Sequence, residues 1–175
     1  MQNTCGEERF IEKVDAYYKN GLDSGYEGDF KTEVECVEAA KAVYALCLNE
    51  SLSKHGQDIG TEQVIIENLA NILIYAYVGD STLSRVIQNK DLYVQKNQVV
   101  PELCAKVYTA EQGIRVMEYA NKILNSIYDG EVPKELESKF AKLSKKLSLS
   151  TDTIGLKKII GEKVVEAGGY PVQSF

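Results

Sequence analysis

Residues 62–88 read EQVIIENLANILIYAYVGDSTLSRVIQ and form the most strongly patterned stretch of the chain. Apolar side chains recur there at steps of three and four, which is the spacing of one face of an α-helix. The stripe consists of Val64 or Ile65, Leu69, Ile72, Leu73, Ala76, Leu83, Val86 and Ile87. Because the first half of the stretch is apolar nearly all round, we predict a long helix at the centre of the fold. Gly79 within it predicts a close helix contact or a slight bend.

Five further segments on either side show the same helical periodicity, and short runs with glycine, proline or aspartate separate them. We place them at about residues 7–20, 32–55, 101–129, 133–147 and 151–167. Thr32-Glu33-Val34-Glu35 has the spacing of a capping box, Thr61 is expected to cap the central helix, and Pro101 fits a first helical turn. No segment alternates apolar and polar residues as a strand would. The predicted fold class is therefore all-α, an up-down helical bundle of about four main helices plus shorter flanking helices.

The predicted organisation is one domain overall. The chain has 175 residues, a length typical of a single domain. Residues 1–28 are expected to form an N-terminal helix and a Gly-rich link, and residues 29–175 the helical bundle.

The charge of the chain excludes several classes of partner. Its net charge of −6 would repel nucleic acid, and it makes binding to an anionic membrane surface unlikely. The most hydrophobic stretch, residues 64–78, contains Glu67 and two asparagines and is shorter than the roughly 20 apolar residues that span a bilayer. The first twenty residues are charged and lack the apolar run of a secretory signal. We therefore expect a soluble, cytoplasmic protein.

The residues that usually carry chemistry are scarce. Cys36, Cys47 and Cys104 fall within helical apolar patterns, so we predict that all three are reduced, buried core residues. His55 is the only histidine, which excludes the paired Glu-x-x-His motifs of di-iron bundles and leaves a Ser or Cys nucleophile without a usual base. The glycines form no phosphate-binding loop. We assign no catalytic, cofactor-binding or metal-binding residue to this chain.

Two parts of the chain resemble segments of one enzyme family. Residues 62–75 followed by residues 81–85, STLSR, resemble a pattern of Glu-Gln, several apolar residues, a Leu/Ile-Ala-Asn/Asp-Ile core and a Ser-Ala-Leu-x-Arg-like run. Residues 153–158, TIGLKK, and residues 166–171, EAGGYP, resemble the closing Asn-Thr-Ile/Val-Ala-Leu-Arg-Arg and Glu-Ala-Gly-Arg-Tyr motifs of that family. Because the motifs keep their order and separation, residues 29–172 are similar to the C-terminal helical extension of acyl-CoA dehydrogenases of the very-long-chain type and the long bacterial forms.

The resemblance implies a role and no chemistry. In that family a glutamate of the catalytic part removes a proton from an acyl-CoA thioester while FAD accepts a hydride, and nothing in this chain resembles those parts. FAD is therefore implied only for a full-length parent enzyme. What the resemblance implies is a non-catalytic accessory or oligomerisation domain in fatty-acid oxidation. Its expected partner is the catalytic part of an acyl-CoA dehydrogenase or a second copy of the chain.

The matched motifs also imply interface or docking positions. These are Arg85, Lys157, Lys158 and Tyr170. Lys157 and Lys158 stand where the family pattern has arginines, and lysine offers a point charge instead of a two-pronged contact. Both lie in a lysine-rich region, residues 134–163, which is either a solvated helix face or a docking patch.

A second hypothesis from another functional class stays open. The chain could be a stand-alone helical protein-interaction module without enzymatic activity. The methionine at position 1 and the lack of any match for residues 1–28 favour this alternative.

Overall fold

The structure is a computed structural model that describes residues 25–169 and 171–172. Within these ranges the chain forms six α-helices, one 3₁₀ turn and no strand. The helices are α1 (Lys31–His55), α2 (Gln63–Gln88), α3 (Lys90–Gln95), α4 (Val100–Ile127), α5 (Lys134–Leu147) and α6 (Thr153–Ala167), and the 3₁₀ turn Gly56–Thr61 follows α1. The helix predicted at residues 7–20 lies outside the described residues, and the boundary between residues 28 and 29 stays a prediction.

The helices α1, α2, α4 and α5 pack as an up-down bundle. Lys41, early in α1, pairs with Asp80, late in α2, at 3.0 Å, so these two helices run antiparallel. Lys146 at the end of α5 pairs with Glu35 at the start of α1, so α5 also runs antiparallel to α1. The all-α bundle with short flanking helices is thereby confirmed.

Helices α1 and α4 share the centre of the bundle, and the prediction that α2 lies there is wrong, because α2 packs mainly against these two helices whereas α4 packs against α1, α2, α5 and α6. α1 packs against α2, α4 and α5, and its buried residues are mostly small: Cys36, Val37, Ala39, Ala40, Ala42, Val43, Ala45, Leu46, Cys47 and Ser51. Small side chains reduce the distance between helix axes, so three helices can surround α1. The long apolar side chains of α2 cannot all be buried against two neighbours, and one face of α2 is exposed.

Two glycines permit the closest helix contacts. A β-carbon at Gly79 of α2 would lie 2.9 Å from Cγ2 of Val37, which confirms the close packing predicted there. A β-carbon at Gly113 of α4 would lie 2.1 Å from the carbonyl oxygen of Leu147, so α4 and the end of α5 touch backbone to backbone. The Cys36 thiol donates to this same carbonyl at 3.9 Å, and the contact therefore joins α1, α4 and α5.

Two predicted helix caps are wrong. α1 begins one residue before Thr32, after the buried Phe30, so Thr32 lies in the first turn and its hydroxyl donates to the Glu33 carboxylate at 2.9 Å. Burial of Phe30 against the end of the bundle sets this start. Thr61 ends the 3₁₀ turn, and its hydroxyl donates to the Asp58 carbonyl at 2.7 Å. Glu62 is the residue that precedes α2.

The last helix, α6, lies on the outside of the bundle. It packs mainly against α4, and the Asp152 side chain caps its start by accepting from the Gly155 amide at 2.9 Å. None of its residues is buried. The side chains of Ile154 and Val165 are 70% and 80% exposed.

Candidate interaction surfaces

One apolar surface runs along α2 on the side away from the core. We call it the outer face of α2 and define it as Ile66, Ala70, Leu73, Ile74 and Tyr77, which are all exposed. The spacing of these residues places them on one side of a helix. Tyr77 is 70% exposed and Ile74 is 55% exposed. Contiguous apolar surface of this kind marks binding sites more often than isolated apolar residues do.

A second exposed surface, with an apolar side chain at each end, lies on α6. We call it the outer face of α6 and define it as Ile154, Lys158, Gly161 and Val165, all exposed. The opposite side of the helix carries Leu156 and Ile160, which are half-buried. The inner side thus gives α6 a modest contact with the bundle, while the most exposed apolar side chains of α6 point away from the bundle.

The structure separates the four predicted docking residues. Arg85 is exposed in the last turn of α2, whereas Lys157 and Lys158 are exposed in the first half of α6. The Lys157 ammonium group pairs with the Glu111 carboxylate of α4, so it fixes α6 to the bundle and is not a free charge. Tyr170 lies outside the described residues. These positions therefore belong to at least two separate surfaces.

Ion pairs join four of the eight lysines in residues 134–163 to carboxylates, namely Lys139, Lys146, Lys157 and Lys163. Lys139 pairs with Glu135 one turn away at 3.1 Å, and Lys163 pairs with Glu166 at 2.7 Å. Exposed pairs of this kind are screened by solvent and contribute little to stability. The other four lysines, Lys134, Lys142, Lys145 and Lys158, are exposed, and a docking patch there stays a prediction.

The thiols divide into buried and exposed groups. Cys36 and Cys47 are free and buried, as predicted, and the prediction that Cys104 is buried is wrong, because it lies on the exposed side of α4. Burial raises the pKa of the Cys36 thiol to about 12 and raises the pKa of Cys47 as well. A thiol with so high a pKa stays protonated and is a poor nucleophile.

One polar contact ties the far ends of α1 and α4 together. The Tyr128 hydroxyl donates to the Glu50 carboxylate at 2.5 Å. This hydrogen bond is the main cause that raises the pKa of Tyr128 to about 12, because ionising the phenol would remove the donor. The residue is half-buried and packs on the core, so its role is structural.

A groove between α4 and α5 has a volume of about 620 Å³. Its walls are Asn121, Leu124, Asn125, Val132, Glu137, Phe140, Ala141, Ser144, Lys145 and Ser148. It contains one acidic and one basic side chain at its edges and neither histidine nor cysteine. The groove therefore offers no group matched to proton transfer or nucleophilic attack near neutral pH.

The described residues provide neither a metal-binding cluster nor a membrane-spanning helix. No group of three or more His, Cys, Asp or Glu side chains in residues 25–169 is placed to hold a metal ion. Over the same part of the chain, each helix is too short or too polar to cross a bilayer.

The comparisons with known proteins agree with the helical packing. Residues 39–141 match the model of the acyl-CoA dehydrogenase C-terminal domain. The structure also superposes on the crystal structure of an acyl-CoA dehydrogenase complexed with FAD from Bacillus anthracis, with a TM-score of 0.77 and 21% sequence identity, over 95% of this chain and 28% of that chain. No curated protein matches significantly.

The two matches carry different weight. At 21% identity the superposition shows a shared fold, and this chain spans little more than a quarter of the dehydrogenase on which it superposes. The matched residues 39–141 make up more than half of the chain and run from α1 into α5. The chain belongs to the acyl-CoA dehydrogenase C-terminal domain family.

Proposed function

We propose that this chain is a non-catalytic accessory domain that packs, through the outer face of α6, against the catalytic part of an FAD-dependent acyl-CoA dehydrogenase. In this proposal the flavin, the acyl-CoA thioester and the catalytic glutamate belong to the partner, in the context of fatty-acid oxidation. This chain contributes a binding surface that determines how the complex is assembled.

The observation that carries the proposal is the lack of any buried residue in α6. A helix gains most of its stability in water from packing an apolar face, because short isolated helices are marginal. In α6 the most exposed apolar side chains, Ile154 and Val165, lie on the side away from α4. A partner that covered this side would remove both from water.

The match to a longer dehydrogenase supports the choice of partner. The domain that superposes on this chain makes up 28% of the Bacillus anthracis enzyme. In that enzyme the domain is therefore joined to a much longer polypeptide, and a polypeptide of this kind is the partner that we propose. The exposed Lys158 on the outer face of α6 would meet a surface that carries carboxylates. Tyr170, three residues past the end of α6, would extend the same contact.

The proposal is tested by co-expressing the tagged chain with the catalytic part of an acyl-CoA dehydrogenase from the same organism. We expect a complex of equal stoichiometry that carries flavin absorbance and survives gel filtration. Val165→Lys should abolish it, because lysine cannot be buried in an apolar contact without its counter-charge. Ile74→Lys, the matched change on the outer face of α2, should leave the complex intact.

Two results would count against this role. One is the absence of any complex between the folded chain and such catalytic parts, which would favour the stand-alone interaction module. The other is a complex that tolerates Val165→Lys and is lost with Ile74→Lys, which would move the interface from α6 to α2.

A further inference from the structure

We infer that the segment before Gly25 folds back along α1, and that its predicted helix, residues 7–20, covers the side of α1 that lies between α2 and α5. This contact uses neither α6 nor a catalytic part, so it goes beyond the proposed function. It would make the N-terminal segment a structural part of the domain.

Three neighbouring helices account for three sides of α1. The Glu35 carboxylate pairs with α5, the Cys36 thiol donates to a backbone carbonyl of α4, and Val37 packs on a glycine of α2. Successive residues of an α-helix are about 100° apart around its axis, so these three contacts span about 200°. The remaining side is called the outer side of α1, and it carries Val34, Glu38, Lys41, Ala45 and Leu48.

The outer side of α1 is not open to solvent. Every residue of α1 from 33 to 48 is buried or half-buried. Ala45 is 3% exposed, although it lies about 80° around the helix from both Glu35 and Val37, midway between the directions of α5 and α2. Ala70 is the matched residue on the outer face of α2, where it lies among longer apolar side chains and is exposed. Long side chains of the same helix therefore do not bury an alanine, and Ala45 needs a further segment over it.

The described chain begins beside the outer side of α1. Tyr26 lines a groove together with Val34 and Val37, so residues 1–24 precede a point at the first turn of α1. Leu48 follows Val34 by 14 residues, a distance of about 21 Å along the helix axis. The predicted helix at residues 7–20 also has 14 residues and therefore the same length. The residues between it and Tyr26 allow the chain to reverse direction.

The other end of the chain lies on the opposite side of the bundle. Glu111 of α4 pairs with α6, and it is two residues away from Gly113, which packs on Cys36 of α1. Two residues correspond to about 200° around α4, so α4 separates α6 from α1. The N-terminal segment is therefore the occupant that the topology favours.

The sequence of the predicted helix fits an antiparallel contact with α1. Phe10, Val14 and Tyr17 follow one another at steps of four and three residues, which is the spacing of one apolar side of a helix. With residue 20 level with Val34, an antiparallel helix places Phe10 within one residue of Ala45. The ring of Phe10 then fills the space that the small side chain of Ala45 leaves.

The first test uses an added thiol to measure coverage in the full chain. Cys5→Ser and Cys104→Ser leave the two buried thiols, and Ala45→Cys or Ala70→Cys then adds one probe. We expect the probe at 45 to react with a thiol reagent at least about a hundredfold more slowly than the probe at 70, because a covered thiol reacts only through local opening.

A charge in the predicted contact should remove this protection. Phe10→Lys should raise the rate of the probe at 45 at least about tenfold, because lysine is not buried in an apolar contact without its counter-charge. The rate of the probe at 70 should not change. Glu12→Lys, on the opposite side of the predicted helix, is the matched control and should leave both rates as they were.

Thermal unfolding tests the same contact without a probe at position 45. Phe10→Lys should lower the midpoint of unfolding by at least about 5 °C, and Glu12→Lys by less than about 2 °C. Circular dichroism confirms that each variant is folded. The labelling rates are measured at two chain concentrations about a hundredfold apart, because cover by a second copy is lost on dilution and cover by the chain's own segment is not.

Four results would overturn the inference. They are a probe at 45 that reacts as fast as the probe at 70, protection that Phe10→Lys leaves intact, an unfolding midpoint that Phe10→Lys does not lower, and protection that falls on dilution. The last of these would make a second copy of the chain the occupant of the outer side of α1.

Discussion

The contact of α4 with α1 and α5 differs from the contact of α4 with α6. At the first, Gly113 touches the Leu147 carbonyl, and Ile123 and Leu143 are almost fully buried. At the second, no residue of α6 is buried, and an exposed ion pair, Lys157 with Glu111, joins the helices. The comparison shows that one domain combines a close-packed core with a helix that is only half covered. The core specifies the fold, and the half-covered helix offers surface to a partner.

The largest effect is expected from a single methyl group at the tight contact. Gly113→Ala should lower the free energy of unfolding by on the order of 3 kcal/mol, because its β-carbon would overlap a backbone carbonyl that cannot move alone. Gly161→Ala is the matched change on α6, where nothing lies within 4 Å of the added carbon. It should raise the free energy by about 0.5–1 kcal/mol through helix propensity. Urea unfolding of both variants measures the difference, and equal effects would contradict the contrast.

Truncation of apolar side chains should give the next largest contrast. Ile123→Ala removes a side chain that is 1% exposed and should cost about 2–5 kcal/mol, because it leaves a cavity in the core. Val165→Ala on α6 should change the free energy of unfolding by less than about 0.5 kcal/mol. A cost above 1 kcal/mol for Val165→Ala would show that the isolated chain already covers this side of α6.

A smaller contrast is expected between the polar contacts of the two regions. Tyr128→Phe should cost about 1 kcal/mol, because it removes the hydrogen bond to Glu50 at a half-buried position. Lys157→Met should cost less than about 0.5 kcal/mol, as exposed ion pairs do.

The pH dependence of the Tyr128 contact follows from its raised pKa. The folded phenol has a pKa of about 12, against its ordinary value of 10.0, so the folded state favours the protonated form. The contribution of this contact is complete below pH 10 and is lost as the pH rises through about 12. Other lysines and tyrosines with raised pKa values also titrate in this range, so stability measurements should show a steeper fall in the natural chain than in Tyr128→Phe. A parallel fall in both would contradict the assignment.

The smallest predicted effect, a difference in reactivity between exposed and buried thiols, concerns single side chains. In a Cys5→Ser background, Cys104 should react with a thiol reagent in the folded chain, whereas Cys36 and Cys47 should react only after unfolding. Burial protects these two and raises their pKa, and the thiolate is the reactive form. Mass spectrometry of the labelled peptides identifies the sites. Rapid labelling of Cys36 in the folded chain would show that the contact among α1, α4 and α5 opens readily.

The sequence predicts five of the six described helices and most of their bounds, because their periodicity and terminating glycines are local signals, and it misses the six-residue helix α3 (Lys90–Gln95). It does not predict which helix is central. The long apolar side chains of α2 suggest the centre, yet α1 and α4 occupy it, because their small buried residues, such as Ala39 and Ala42 of α1 and Gly113 and Ala120 of α4, let several helices approach. The cap predicted at Thr32 is wrong for a similar reason, since a tertiary contact of Phe30 sets the start of α1.

The candidate surfaces are predictable only in part. Resemblance to the family points to Lys157, Lys158, Arg85 and Tyr170, of which Lys157 is engaged inside the domain. The outer face of α2 is missed because its apolar residues are counted toward a central helix. Its signal is present in the sequence as a second stripe, from Ile66 to Tyr77, opposite the one that faces the core. An apolar stripe in the sequence shows that one side of a helix is apolar. Whether the core covers that side can be decided only when the number of neighbouring helices is known.

The most direct test of the account is native-state hydrogen exchange of the chain, alone and in complex with the catalytic part of an acyl-CoA dehydrogenase. We predict that the amides of α6 exchange by local opening in the free chain, well before those of α4, and become protected in the complex while α4 is unchanged. The account is contradicted if α6 in the free chain is as protected as α4, or if the complex leaves the exchange of α6 unaltered.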